Sequence, residues 1–265
     1  MKLLILSFQL KRMINLQDSS GLPLLLNTQD NSLQPAGEIT FEKRDRVKLD
    51  NLKPVLLNKT LRYPIDIYSE YCDICIENDH DCFNKSKLHY SIIVLPPGLL
   101  GIEYNKTHIF SPDQDQNDIS VIIDIVYGKG SILIQRIKEK GEYDFDTEVD
   151  FVASSKINKC DRVIIPQNYM YTFINASNYP LIIARLYEDD GKIDYRSMRK
   201  EHGMSYYFIR KNAREEIVRN PHYKEVPPLK KFNSDKYLRK YKYTSKKPIY
   251  TQFIKNPRKF CKLLV

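Results

Sequence analysis

The chain has 265 residues, 42% hydrophobic and 28% charged, enough to bury a substantial core and unlike the composition of a disordered or collagen-like protein. Its formal charge of +9 is uneven: from Pro228 to Val265 there are 12 Lys and Arg against the single acid Asp235, whereas the rest holds 30 bases and 32 acids. No stretch approaches the roughly 18 consecutive apolar residues that a membrane-spanning helix needs.

Residues 1–12 form an N-terminal extension whose apolar run, Leu3–Leu6, is closed by Lys11-Arg12 without a small-residue cleavage pattern. An odd number of cysteines, five, argues against a secreted disulfide framework, so the expected setting is cytoplasmic. Residues 13–89 are turn-rich and read as an extended arm with little core of its own. The arm carries a Cys-rich insertion: Cys72, Cys75, His80 and Cys82 set four soft ligands within eleven residues. Cys-x-x-Cys suits half of a structural zinc site, but His80 and Cys82 are closer together than the usual second half. The alternative is a loop of free thiols among Asp73, Glu77, Asp79 and Asp81.

From Tyr90 the character changes. Short β-branched runs recur at Ser91–Leu95, Ile119–Val126, Ser131–Ile137, Phe151–Ala153, Arg162–Ile165, Tyr171–Ile174 and Leu181–Tyr187. Such spacing, with no long amphipathic helix between the runs, predicts an antiparallel sandwich or barrel over 90–229. The best helix candidate is short, Ile193 to His202. The segment 230–265 is a basic tail that interleaves lysines with Tyr237, Tyr241, Tyr243, Tyr250, Phe253 and Phe260. Basic and aromatic residues together allow a polyanion partner, although a solvated or core-clasping tail explains them as well.

Two spaced patterns carry a resemblance. Cys160, Pro166, Asn168, Tyr171 and Asn175 fall at the intervals of Gly, Pro, Gly, His and Asn in the second cupin signature, and Gly128 fits the end of the first, whose Glu position is Val121. Glu103-Tyr104-Asn105-Lys106-Thr107 resembles the Glu-Tyr-x-Lys-Thr run of the cupin-type glucose-6-phosphate isomerases. Ser20–Pro23, Leu52–Leu57, Tyr187 with Asp190 and Asp194-Tyr195, and Asn220–Tyr223 follow in that family's order.

The resemblance implies an all-β fold: a cupin (RmlC-like jelly-roll) β-barrel with an extended N-terminal arm and a few short helices. In that family a divalent metal (Fe, Mn, Ni or Zn) inside the barrel is held by three His and a Glu. The family interconverts glucose 6-phosphate and fructose 6-phosphate in glycolysis and gluconeogenesis. By the same resemblance Lys106, Thr107, Tyr187 and Tyr195 surround a sugar phosphate. Of the metal ligands only His108 has an imidazole; Phe110, Val121 and Tyr171 stand at the other positions. Asp124, three residues beyond Val121, should face the opposite side of its strand. The resemblance therefore implies an aldose–ketose isomerase relative with weakened or lost activity, a pseudoenzyme, paired as a homodimer. The competing reading is a non-catalytic sugar-phosphate-sensing or interaction module.

Overall fold

The computed structural model of the chain describes residues 13–111, 119–138, 148–188, 196–233, 235–240, 242–243 and 247–264. In chain order its strands are β1 (Met13–Asn15), β2 (Leu24–Asn27), β3 (Ser32–Pro35), β4 (Ile39–Thr40), β5 (Lys43–Lys48), β6 (Asp66–Cys72) and β7 (Cys75–Ile76). They continue with β8 (His89–Leu95), β9 (Leu99–Leu100), β10 (Glu103–Lys106), β11 (Ile119–Tyr127), β12 (Lys129–Ile137) and β13 (Val149–Asn158). The last are β14 (Arg162–Pro166), β15 (Met170–Asn175), β16 (Leu181–Tyr187), β17 (Tyr206–Lys211), β18 (Arg214–Arg219) and β19 (Lys230–Lys231). Seven short helices join them: α1 (Gln17–Ser20), α2 (Leu49–Leu52), α3 (His80–Ser86), α4 (Arg196–Lys200), α5 (Asp235–Lys240), α6 (Ile249–Lys255) and α7 (Pro257–Leu264), counted among the described residues.

Two sheets build the body. One has the order β14-β11-β16-β8-β6-β5; the other runs β18-β17-β10-β15-β12-β13-β19, with β9 added beside β10. All pairs in the first are antiparallel, including β16 with β8 over Leu181↔Leu95 to Tyr187↔His89. This is the jelly-roll barrel that the resemblance implied. Every predicted run lies in a strand, because each supplies β-branched or aromatic side chains to the buried faces. The helix expected over 193–202 is confined to α4; residues 193–195 lie outside the described set.

Alternation sorts the residues into layers. Ile93, Leu95, Val121, Ile123, Ile165 and Ile183 of the first sheet meet Ile132, Ile134, Ala153 and Phe173 of the second and fill the barrel. The other face of the first sheet carries Ile92, Val94, Ile122, Ile164, Ile182 and Leu186, and these are covered by both ends of the chain. Leu16, Leu22, Leu24, Leu26 and Leu33 of the arm pack there, as do Tyr243, Tyr250, Phe253 and Phe260 of the tail. A fully buried aromatic or Leu side chain contributes about 1.5–3 kcal/mol, so neither the arm from Leu16 nor the segment 243–260 is loose decoration.

Several boundaries differ from the sequence reading. The barrel begins before Tyr90, since β5 and β6 belong to its first sheet. It also runs past 229: β19 pairs in parallel with β13, and Phe232 enters the barrel core. The tail closes on the body through Asp124, whose carboxylate takes the guanidinium of Arg162 at 2.5 and 2.7 Å and the backbone N–H of Ile249 at 2.7 Å. Asp124 thus faces away from Val121, as its offset required. No helix among the described residues is long and apolar enough to cross a membrane.

Candidate functional site

The two turns that the cupin signature needs are built without glycine. Cys160 and Asn168 both hold left-handed backbone, with φ of 72° and 65°. Glycine is the usual choice there, and Asn tolerates the region through its short polar side chain. Asn175 closes the motif: its Nδ2 donates to the Leu95 and Tyr179 carbonyls at 2.9 and 2.8 Å. At Gly128, with φ of 82°, an added Cβ would meet the Pro180 carbonyl oxygen at 2.3 Å, so only glycine fits. The signature's framework is intact.

Its interior is not. Phe110, Val121 and Tyr171 all point between the sheets and are 1–2% exposed. Phe110 bridges Tyr171 in antiparallel register, and Val121 lies beside Tyr187 on β16. Period-two alternation puts Arg185 on the face of Leu181, Ile183 and Tyr187, and its side chain is fully buried. The guanidinium carbon sits 4.1 Å from the Phe110 ring centroid and 4.7 Å from that of Tyr187. Arg185 donates to Glu70 at 2.5 Å, to Ser91 Oγ at 3.1 and 3.2 Å, and to the Tyr171 hydroxyl at 3.3 Å. Ser91 in turn donates to the same Glu70 oxygen at 2.8 Å. A cation buried this deeply requires a paired and hydrogen-bonded anion, and Glu70 on β6 supplies it.

A divalent metal does not fit this donor set. At three of the four ligand positions that the resemblance implies, the side chains are phenyl, isopropyl and phenol, and none offers imidazole or carboxylate. The nearby carboxylate, Glu70, is engaged by Arg185 and Ser91, and the guanidinium adds positive charge beside Phe110 and Tyr171. His108 is half-buried, with its Nδ1 hydrogen-bonded to the Tyr68 hydroxyl and its ring 4.2 Å from that of Phe110.

The expected sugar-phosphate contacts are dispersed. Lys106 is buried and forms an ion pair with Glu103; its ammonium also donates to the Val55 carbonyl at 3.0 Å and lies 5.4 Å from the Tyr207 ring centroid. Thr107 is fully buried: Oγ1 donates to the His108 carbonyl at 2.9 Å and accepts from the Phe173 N–H at 3.1 Å. Neither presents its polar atom to an open cavity, because strand pairing and a buried ion pair have absorbed both. Tyr187 lines the barrel, between Arg185 and the His89 ring, whose centroid is 5.7 Å away. Tyr195 lies outside the described residues.

The cysteine cluster does not converge either. Cys75 Sγ faces Thr40 Oγ1 at 3.5 Å, His80 Nδ1 pairs with Asn84 Nδ2 at 3.1 Å, and Cys82 packs on the tail-covered core. Among the described residues no three His, Cys, Asp or Glu side chains are disposed to hold a metal ion. Burial, with Glu70 close by, pushes the Cys72 thiol up to about 12. The His89 hydrogen bond, 2.7 Å long, holds the Asp73 carboxyl below its ordinary value. In the tail, Tyr243, Tyr250, Phe253 and Phe260 are 0–2% exposed, so these four rings cannot stack on the bases of a nucleic acid.

Arg185 and Glu70 escaped the sequence reading. Period two alone would have put Arg185 on the barrel face of Leu181, Ile183 and Tyr187, but its partner lies 115 residues away on another strand.

A family model described as Glucose-6-phosphate isomerase (GPI) matches residues 51–225. No curated protein sequence matches significantly. Among solved structures, the coconut allergen cocosin is 11% identical over 60% of this chain and 34% of its own, with a TM-score of 0.34. The oxalate decarboxylase of Lactobacillus farciminis is 12% identical over 48% and 30%, with a TM-score of 0.33. The Drosophila melanogaster CENP-C cupin domain is 12% identical over 44% and 67%, with a TM-score of 0.29. The chain thus spans about a third of the length of the first two, and none of these likenesses bears on function.

Proposed function

The chain belongs to the glucose-6-phosphate isomerase family, and we propose that within it this cupin has given up metal-dependent isomerisation and serves as a non-catalytic sensing or interaction module. The observation that carries this reading is the lodging of the Arg185 guanidinium against Phe110, Tyr171 and Tyr187, paired with Glu70. Isomerisation moves hydrogen between C1 and C2 while an oxyanion develops, and a metal stabilises that charge by several kcal/mol. Here a guanidinium holds the space, its charge already balanced by Glu70. The five free cysteines support a reducing, cytoplasmic setting, and pairing of two copies through sheet edges belongs to the same proposal.

The test is turnover. Purified protein supplied with Mn, Fe, Ni or Zn should convert no fructose 6-phosphate to glucose 6-phosphate above background and should retain no stoichiometric metal in the barrel. Metal-dependent turnover at ordinary enzymatic rates would sink the reading. Calorimetry with fructose 6-phosphate then separates the two kinds of module. Heat that disappears in Tyr187→Phe or Tyr187→Ala favours sensing of a sugar phosphate at the barrel, and no heat favours an interaction body.

A further inference from the structure

On the far side of the second sheet a groove of about 480 Å³ runs between β12, β13 and β19 on one side and the β17–β18 hairpin on the other. Ser131 and Ser154 stand on this face. Register pairs Ser131 with Lys156, Leu133 with Ser154, and Ser154 with Lys231, so both hydroxyls and both lysines lie on one face within neighbouring ladder positions. Phe208, Ile217 and Leu229 form an apolar wall. Ser131 is 1% exposed, yet its Oγ has no hydrogen-bond partner among the described residues. A buried polar group without a protein partner calls for an explanation, and a hydroxyl placed to donate to a ligand is one.

We propose that this groove is a binding site for a small phosphate monoester. Its phosphate would accept hydrogen bonds from Ser131 and Ser154 and charge from Lys231, and its apolar portion would rest on Phe208, Ile217 and Leu229. The chemistry fits a phosphate better than a cation. Lys156, Lys230 and Lys231 rim the groove, no acid lines it among the described residues, and Glu215 forms an ion pair with Lys156. Lys230 leans to the opposite side, with its ammonium 5.5 Å from the Phe151 ring centroid, so Lys231 provides the main charge. A lysine ammonium is a mobile point charge suited to phosphate. The site lies on the other face of the sheet from the barrel interior and is independent of whether that interior catalyses anything.

Calorimetry on the full chain with phenyl phosphate, inorganic phosphate and phenol tests the proposal. Phenyl phosphate should bind more tightly than inorganic phosphate, phenol should not bind, and added salt should weaken both anions. Ser131→Ala and Lys231→Gln should each weaken phenyl phosphate about tenfold, the loss expected for one charge-assisted hydrogen bond. Ser131→Ala should also raise the Tm of the free protein, because it removes a buried hydroxyl without a partner, and should abolish the further rise that phosphate gives the wild type. Absence of phosphate binding, or binding indifferent to both substitutions, would overturn the proposal. Arg185→Lys should leave phenyl phosphate binding unchanged; its loss there would place the anion in the barrel and also overturn it.

Discussion

The rings of Phe110 and Tyr171 stack 5.0 Å apart at 21°, joined by an antiparallel bridge between their backbones. By the family resemblance each occupies the position of an imidazole. Two flat rings in contact offer a metal no ligand atom except the Tyr171 hydroxyl, and that hydroxyl accepts from Arg185, whose guanidinium lies over the Phe110 ring.

The buried pair should be costly to break and cheap to replace. Arg185→Met leaves the Glu70 carboxylate buried without its cation, and unfolding free energy should fall by about 3–5 kcal/mol. Replacing both members, Glu70→Met with Arg185→Met, should recover most of that loss. Urea denaturation of the two variants decides it; equal destabilisation would show that Glu70 does not depend on Arg185.

Restoring the missing donors should not by itself restore a metal. The triple variant Phe110→His, Val121→Glu, Tyr171→His keeps Arg185, whose side chain lies on the face of Val121 and would attract the new carboxylate. Elemental analysis should find no stoichiometric Mn or Zn. Adding Arg185→Ser should permit uptake, because Glu70 is then released. Full occupancy in the triple variant would remove Arg185 from the explanation.

The tail should behave as core. Phe253 is fully buried, with its ring 4.7 Å from that of Phe83 on α3. Phe253→Ala should therefore cost about 3–5 kcal/mol, as core aromatic truncations do. A solvated tail would tolerate the change with no shift in the denaturation midpoint.

Thiol reactivity should separate the cysteines. Cys160 is exposed, whereas burial and the neighbouring Glu70 push the Cys72 thiol up to about 12. The thiolate is the nucleophile, so at pH 8 alkylation should reach Cys160 well before Cys72. Raising the pH toward 11 should speed Cys72 while the fold persists. Mass spectrometry of timed quenches gives the order; equal labelling at pH 8 would contradict the placement of Cys72.

Much of the fold was legible because local chemistry and global structure agree. The runs from Ser91 to Tyr187 carry β-branched residues on both faces, and Cys160, Asn168 and Gly128 mark turns through the backbone shape they must adopt. Val121 and Tyr171 were legible as interior positions for the same reason. What the linear pattern hides is non-local. Lys106 and Thr107 match a binding motif residue by residue, but their polar atoms are taken up by Glu103, Val55 and the neighbouring strand. The tail's apolar spacing is spread over two short helices, and its destination includes β11, more than a hundred residues earlier, so charge dominated the reading.

Asp124 and Ile249 meet across 125 positions. A nascent chain can therefore form β11 and its neighbours while part of one apolar face, beside the arm, still awaits the later segment 243–260. Until Phe260 has left the ribosome, the part of that face that the arm does not cover is exposed to other chains and to chaperones. Translation that stalls late, rather than any fault in the barrel itself, would be the step at which this protein aggregates.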